Sequence, residues 1–183
     1  MRQVVGSPRE LVRKITDQAI AVLRNNDLSN DEKRKRIEDI VYDYVDFETM
    51  SRLVLARNWR TVGEAKQREF VEEFKRHLSV TYGKNVENYR NETVTISGDR
   101  QEARGDWTVK TQIVRSGPND IFVDYRLRKL GDEWKIIDVI IERVSLVSNF
   151  RSQFQEILAN GGIERLLKLL RRKNAEGTSG LKS

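Results

Sequence analysis

Residues 121–141 read IFVDYRLRKLGDEWKIIDVII, and this stretch decides the fold. Its first half places apolar side chains at every second position, Ile121, Val123, Tyr125 and Leu127. Such strict alternation is typical of a strand with one buried face. Its second half, Trp134–Ile141, is apolar on both sides, which indicates a strand that is covered on both faces. The connection Gly131-Asp132 is too short for a parallel crossover, so it predicts an antiparallel pair.

The segments before this pair extend the sheet. Val94 and Ile96 alternate with polar neighbours, as do Trp107, Val109 and Ile113. Short turn-rich linkers separate the runs, at Gly98-Asp99 and at residues 116–120. The sequence therefore predicts an antiparallel meander of four strands.

Helical periodicity surrounds the sheet on both sides. Ser7-Pro8 and Ser29, with Glu32 three residues further on, are typical helix starts. Four helices are predicted before the strands, the second with a buried stripe of Ile37, Ile40, Val41, Tyr44 and Val45, the third over Phe47–Trp59 and the fourth from about Glu64 to Asn88. After the strands, Ser145 is predicted to cap a helix that Gly161-Gly162 interrupts.

Helices, strands and helices in this order predict an α+β domain: a curved four-stranded antiparallel sheet wrapped by helices. A curved sheet around helices encloses a cone-shaped space, and periodicity leaves open whether that space is filled or hollow. One domain is expected over residues 1–173, with a flexible tail at 174–183 because its composition is typical of turns.

Composition excludes several classes of function. The 183 residues carry a net charge of +6, include one histidine, His77, and have no cysteine. Disulfides, thiol catalysis, zinc fingers and iron–sulfur clusters are therefore excluded. No apolar run approaches the ~20 residues of a membrane span, so the protein is not expected to span a membrane.

Few residues are candidates for chemistry. Asp138 interrupts an apolar strand and is the best candidate for an acid–base catalyst, with a strand irregularity or an arginine partner as the alternative. His77 is expected to be partly exposed. Residues 144–183 carry seven basic and three acidic residues, and their helix could bind nucleic acid or an anionic surface. The interleaved leucines favour a solvated helix end, and we expect no nucleic-acid partner.

The most specific motifs lie in three segments. Residues 46–61 read DFETMSRLVLARNWRT, residues 67–78 read QREFVEEFKRHL, with Thr81-Tyr82 following, and residues 138–154 read DVIIERVSLVSNFRSQF. Their sequence and order resemble the MlaC (toluene-tolerance) family of phospholipid-binding proteins, and the resemblance covers nearly the whole chain. Ala56 and Arg143 depart from it where glycine is expected, and Phe150 where tyrosine is common.

This resemblance implies a periplasmic phospholipid carrier whose signal peptide has been removed. Its implied fold is a nuclear-transport-factor-like cone with a helical subdomain, here at about 28–63, and a hollow interior that holds acyl chains. Its implied partners are phospholipid, an outer-membrane lipoprotein complex, and an inner-membrane ABC transporter with an MCE-domain subunit. No enzyme activity and no cofactor besides the lipid cargo are implied; the alternative is a small-molecule enzyme or binding protein on the same cone.

A carrier must offer its cargo a pocket nearly as apolar as a bilayer, because each buried methylene contributes about 0.8 kcal/mol. The alternating strand faces and the helical stripes are the expected lining, with ordinary core packing as the alternative for each residue. The expected lipid-binding residues are Leu53, Val54, Phe74, Leu78, Trp107, Val109, Ile113, Ile121, Val123, Tyr125, Leu127, Val147 and Phe150. Arg171, Arg172 and Lys173 are the candidates for a docking surface toward acidic partners or anionic headgroups, with solvated helix residues as the alternative.

Overall fold

The computed structural model describes residues 6–115, 117 and 119–177. Four helices come first: α1 (Pro8–Arg24), α2 (Asn30–Tyr44), α3 (Phe47–Leu55) and α4 (Gly63–Tyr82). Five strands follow: β1 (Thr93–Gln101), β2 (Trp107–Val114), β3 (Ile121–Leu130), β4 (Glu133–Ile141) and β5 (Val144–Ser145). The last element is helix α5 (Leu146–Glu176). Short 3₁₀ segments lie at Ala56–Thr61, Gly83–Asn88 and Ala103–Gly105. This order confirms the predicted α+β class.

The sheet is antiparallel with the order β1-β2-β3-β4-β5. The prediction of four strands is therefore wrong, because the two-residue β5 pairs with β4. Two residues are too few to show any alternation, so the sequence pattern could not reveal this strand. A two-residue turn joins β4 to β5, with φ of 49° at Glu142 and 68° at Arg143. Positive φ at both positions is typical of a type I′ hairpin turn.

The first hairpin turns later than predicted. Gly98-Asp99 lies within β1, where the register shifts between Ile96 and Gly98, and not in a linker. An irregular position of this kind is where glycine is tolerated in a strand. The chain reverses at residues 102–106 instead, where the Glu102 amide donates to the Asp106 carbonyl over 2.6 Å.

Two helix starts follow the caps predicted at Ser7 and Ser29, whereas two helix ends differ from the prediction. Ser7 Oγ accepts from the Glu10 amide over 3.1 Å and Ser29 Oγ accepts from the Glu32 amide over 3.1 Å. Helix α3 ends at Leu55 and not at Trp59, since Ala56 adopts a left-handed φ of 52°. Helix α4 ends at Tyr82, and Gly83–Asn88 continues as a 3₁₀ segment.

Helix α5 is interrupted as the sequence predicts. Gly162 has φ 69° and ψ −169°, a conformation open to glycine, and it separates two helical halves. The second half extends to Glu176, so residues 174–176 of the predicted tail are helical. Residues 178–183 of that tail lie outside the described part of the chain.

The chain forms two compact units, each built from two chain segments. The first unit comprises the described residues up to Asp46 together with Val86–Leu146. The second comprises Phe47–Asn85 together with the described residues from Val147 onward. The predicted subdomain at about 28–63 contains the boundary between residues 46 and 47, so it does not coincide with either unit.

In the part of the chain that the structure describes, no helix combines the length and the apolar character that crossing a bilayer requires.

Candidate functional site

The strand residues predicted to bind lipid share one face of the sheet in the first unit. Directly opposite residues of neighbouring strands point to the same side. Trp107 lies opposite Leu127, Val109 opposite Tyr125, and Ile113 opposite Ile121. Val123 belongs to the same alternating set on β3. We call this side of the sheet the inner face.

One end of the inner face is a packed core. Val109 and Leu127 are fully buried and form a cluster with Val12 of α1, Ile96 of β1 and Ile136 of β4. Tyr125 is partly buried and packs against this cluster. For Val109 and Leu127, the structure therefore matches the alternative of ordinary core packing.

The other end of the inner face is less covered. Ile113 and Ile121 are half-buried and lie outside the core cluster, as does Ile141, which is opposite Val123. Val123 itself is 6% exposed, and Val144 of β5, opposite Ile141, is 56% exposed. We call Ile113, Ile121, Val123, Ile141 and Val144 the open end of the inner face. Branched apolar side chains dominate it, so it can bind hydrocarbon.

Two polar groups of β2 and β3 on the inner face, those of Thr111 and Tyr125, are uncharged. Thr111 is buried opposite Val123, and its hydroxyl donates to the Val123 carbonyl over 2.6 Å. Burial raises the pKa of the Tyr125 phenol, which keeps it neutral at physiological pH. Neither group brings a charge to the apolar surface.

The α1–α2 hairpin is a further apolar surface of the first unit. None of residues 13–46 is buried, and Val41 is 38% exposed. The buried stripe predicted for α2 is therefore wrong: Ile37, Ile40, Tyr44 and Val45 are only half-buried. The half-buried apolar side chains of the hairpin include Ile15, Ala19, Ile20, Val22, Leu23, Ile37, Ile40, Tyr44 and Val45.

Polar bonds hold this hairpin at its tip. Lys33 Nζ donates to the Leu23 carbonyl over 2.9 Å and links the two helices. Arg24 Nε donates to the Tyr89 hydroxyl over 3.2 Å, and Arg34 Nη2 donates to the Glu87 carboxylate over 2.8 Å. Exposed ion pairs contribute at most about 1 kcal/mol each, so these bonds orient the hairpin more than they stabilise it.

A second set of bonds holds the base of the hairpin. The Asp46 amide donates to the Ile136 carbonyl over 2.9 Å, and Lys135 Nζ donates to the Asp43 carbonyl over 2.6 Å. The hairpin is therefore fixed at both ends while its apolar middle lacks buried side chains. Sequence periodicity identified the apolar stripe of α2, but periodicity does not report how well a stripe is covered.

The predicted residues of the second unit belong mainly to its core. Phe74 and Phe150 meet edge to face with ring centroids 5.3 Å apart, in a cluster with Phe70 and Phe154. Val54 is fully buried and Val147 is 5% exposed. Leu53 and Leu78 are half-buried, which leaves these two with the most accessible apolar surface of the set.

His77 is buried, and the prediction of a partly exposed histidine is wrong. Its side chain is 1% exposed and lies beside the Phe150 ring, with centroids 6.1 Å apart. Asn174 Nδ2 donates to the Glu73 carbonyl over 2.9 Å and to its carboxylate over 2.8 Å. The Asn174 oxygen is thus the acceptor toward His77, so Nδ1 donates over 3.3 Å. Burial, aided by the Lys173 charge, lowers the His77 pKa below its usual value.

The Asp138 side chain connects two strands of the sheet. It lies opposite Arg126 beside the register shift in the β3–β4 pairing, which confirms the strand irregularity. Its carboxylate accepts from the Val139 amide over 2.8 Å and from the Ser145 hydroxyl over 2.5 Å, linking β4 to β5. Among the described residues, no group of three or more His, Asp or Glu side chains could hold a metal ion.

The family of the chain follows from its sequence match. Residues 13–172 match the profile of the family described as MlaC protein, which is well over half of the chain. The chain belongs to the MlaC family. Toluene tolerance protein ttg2D of Pseudomonas putida is 24% identical over 165 residues, covering 85% of this chain and 75% of that protein. The intermembrane phospholipid transport system binding protein MlaC of Haemophilus influenzae is 20% identical over 169 residues, covering 88% and 79%.

A solved structure shares the fold. The phospholipid-binding protein from Ralstonia solanacearum, determined in complex with a phospholipid, superposes with a TM-score of 0.84. It is 22% identical, and the match covers 94% of this chain and 99% of that one.

The backbone is left-handed at two departures from the MlaC pattern. Ala56 and Arg143 stand where the family resemblance leads us to expect glycine, and their φ values are 52° and 68°. These are left-handed conformations, which glycine adopts without steric cost. Both sites therefore have the backbone geometry that glycine suits.

Proposed function

We propose that this member of the MlaC family is a periplasmic phospholipid carrier that moves lipid between the outer and inner membranes. The observation that carries the proposal is the family match over residues 13–172. The names of the two relatives, one of them a phospholipid transport binding protein, support it. The nuclear-transport-factor-like cone and a single functional domain over residues 1–173 are part of this proposal.

Hydrocarbon burial explains what such a carrier needs. Each methylene moved out of water contributes about 0.8 kcal/mol, so a two-chain lipid requires an extensive apolar surface. Ordinary ligand pockets reach about 1,000 Å³, and this cargo lies at or above that limit. Apolar side chains that are half-buried in the protein alone are suited to this task, because they can still bury surface against an acyl chain.

We therefore assign acyl-chain contact to the first unit, at the open end of the inner face and the apolar side of the α1–α2 hairpin. Ile113 and Ile121 carry over from the predicted set, and Trp107 and Tyr125 are half-buried on the same face. Val123 is buried between them, and we assign it to the support of this surface. Val109 and Leu127 support these residues from the core. The half-buried side chains Ile37 and Ile40, which share one face of α2, are additions to the set that the sequence predicted.

The second unit is assigned a supporting role. Leu53 and Leu78 are its candidates for contact with the cargo, since they remain half-buried. Val54, Phe74, Val147 and Phe150 are buried, and we assign them to the packing that holds those two side chains in place. A bulky substitution at a half-buried position should therefore affect cargo more than one at a buried position.

The proposed partners follow from the family. They are phospholipid, an outer-membrane lipoprotein complex, and an inner-membrane ABC transporter with an MCE-domain subunit, with a periplasmic location and a removed signal peptide. We propose no enzymatic activity. The side chains of the two candidates for catalysis support this assignment, because both make structural hydrogen bonds. Asp138 of β4 accepts from Ser145 of β5, and His77 donates to Asn174 of α5.

Cargo analysis tests the proposal. Protein purified gently from a bacterial host should carry phospholipid in native mass spectrometry, and solvent extraction should recover it at a fixed ratio to protein. Stripped protein should take lipid from liposomes again. An empty protein that takes up no lipid from liposomes would contradict the proposal.

A further inference from the structure

The second half of α5 carries three basic residues on one exposed side. Arg165, Lys168 and Arg172 are exposed and follow each other at spacings of three and four residues. Side chains at this spacing lie on one helix face, and seven residues span about 10 Å. We call these three residues the basic stripe. Leu166, Leu167 and Leu170 on other sides of the same helix are fully buried, so this helix presents its cations outward.

The structure changes the docking surface that the sequence predicts. Arg171 Nη2 bonds the Glu69 carboxylate over 2.8 Å, and Lys66 Nζ lies 3.5 Å from the same carboxylate and 2.9 Å from Glu164. These two cations and two carboxylates balance each other. Lys173 is half-buried near His77. Of the predicted trio Arg171, Arg172 and Lys173, only Arg172 is exposed with its charge uncompensated.

The basic stripe has no such compensation. Within the described residues, none of its members forms an ion pair, and Arg165 makes only a 3.4 Å bond to the Asn160 carbonyl. Glu164, which adjoins Arg165 in sequence, is bonded to Lys66. Glu176 lies four residues after Arg172, at the end of the helix. Three positive charges therefore face solvent along one line of the helix.

We propose that the basic stripe is a contact surface for an anionic lipid bilayer, where it binds the phosphate groups of headgroups. Basic residues near an anionic surface contribute about 1 kcal/mol each without requiring a fixed geometry on the partner. A protein partner of comparable strength would need an aromatic or aliphatic anchor, and the four leucines of this half-helix are buried. This surface goes beyond the proposed cargo site, since headgroup contact does not require a bound lipid.

Vesicle binding tests this surface. The probes are vesicles of phosphatidylcholine alone and of phosphatidylcholine mixed equally with phosphatidylglycerol, with bound protein measured by flotation at low and high salt. The parent protein should bind the mixed vesicles at low salt and release at high salt, where screening shortens the range of the charges. Arg165→Gln, Lys168→Gln and Arg172→Gln combined should weaken this binding roughly a hundredfold.

A variant of equal net charge provides the control. Arg13, Arg36 and Lys129 are exposed residues of the first unit that form no ion pair among the described residues. Their combined change to Gln removes the same charge. If the basic stripe itself contacts the bilayer, this control should bind vesicles within about threefold of the parent, because charges outside the contact are screened by salt.

The outcomes separate this inference from the proposed function. Equal losses in the two triple variants would overturn the basic stripe, since net charge alone would then explain binding. If the parent protein does not bind the mixed vesicles at low salt, the proposed contact surface is wrong as well. Phospholipid content of each variant is measured in parallel, and the carrier function fails only if the parent carries and takes up no lipid.

Discussion

The α1–α2 hairpin and the aromatic cluster of the second unit have similar apolar patterning but different burial. In the hairpin, no residue from 13 to 46 is buried. In the cluster, Phe70, Phe74 and Phe154 are fully buried. The cluster contains ring contacts at 5.3–5.8 Å, whereas polar bonds at both ends hold the hairpin.

The difference in burial indicates that one region contributes mainly to folding stability and the other to cargo binding. Fully buried side chains have no apolar surface left for a ligand, so their burial contributes to folding alone. Half-buried side chains contribute less to folding and keep surface for hydrocarbon. The predictions below test whether the two regions divide these tasks as their burial indicates.

The largest expected effect is loss of a ring from the aromatic cluster. Phe154→Ala should lower the free energy of unfolding by about 3–5 kcal/mol, because it removes a fully buried side chain that contacts three other rings. Urea denaturation measures the loss. Ile40→Ala on the half-buried face of α2 is the matched control and should cost about 1 kcal/mol. Similar losses in both variants would show that the hairpin is as tightly packed as the cluster.

A second test compares the two ends of the inner face. Leu127→Trp adds volume in a packed core and should cost about 1–3 kcal/mol with little effect on lipid content per folded protein. Ile121→Trp adds the same ring where the native side chain is half-buried. It should reduce bound lipid at least as strongly as it reduces stability. Thermal melting and lipid extraction on both variants decide this, and the reverse ranking for lipid would contradict our site.

The third test uses His77, whose imidazole packs against Phe150 of the aromatic cluster. Because the His77 pKa is lower in the folded chain than in the unfolded chain, the unfolded chain binds the proton first as pH falls below about 6.5. Stability should therefore fall with pH in that range, by at most about 1.4 kcal/mol per pH unit from this group. Above about pH 8 the imidazole is neutral in both states, and His77 should contribute no pH dependence.

Urea denaturation from pH 7 to pH 5 measures this slope. His77→Gln removes the titrating group, so its slope should be flatter than that of the parent, while carboxylates contribute equally to both. Parallel curves for the two proteins would show that His77 is charged in the folded state or accessible to water.

The smallest effects are expected at one backbone site in each unit. Ala56→Gly in the second unit and Arg143→Gly in the first relieve left-handed strain of about 1–2 kcal/mol, offset by the greater entropy of glycine in the unfolded chain. Each variant should gain about 0.5–1 kcal/mol in thermal unfolding. Gly63→Ala, at φ 78°, is the opposite control and should lose stability. A loss in either glycine variant would mean that the replaced side chain makes compensating contacts.

Much of the fold could be predicted from local patterns. Alternation identified β3 and β4, and caps at Ser7 and Ser29 placed two helix starts. The motifs also indicated the family that the profile match establishes. Other features depend on partners that no local pattern contains: β5 exists because Ile141 meets Val144, and His77 is buried because Asn174 of α5 reaches it.

The candidate site was less predictable for a related reason. Period and hydropathy show which side of a strand or helix is apolar, and all the predicted strand residues do share the inner face. They do not show whether another element covers that side. Val109 is covered by α1 while Ile113 on the same strand is not part of that core, and only the tertiary structure distinguishes them.

The interleaved order of the two units has a consequence for biosynthesis. Helices α1 and α2 leave the ribosome first, but the strands that complete their unit follow only after Phe47–Asn85, which belongs to the other unit. More than forty further residues must therefore be synthesised after the hairpin before the first strand of its sheet exists. The second unit is completed only when α5, the last helix in the chain, has been synthesised. Neither unit is a contiguous segment, so the chain cannot be divided by one cut into two complete folding units, and the core of the second unit stays incomplete until α5 has been synthesised.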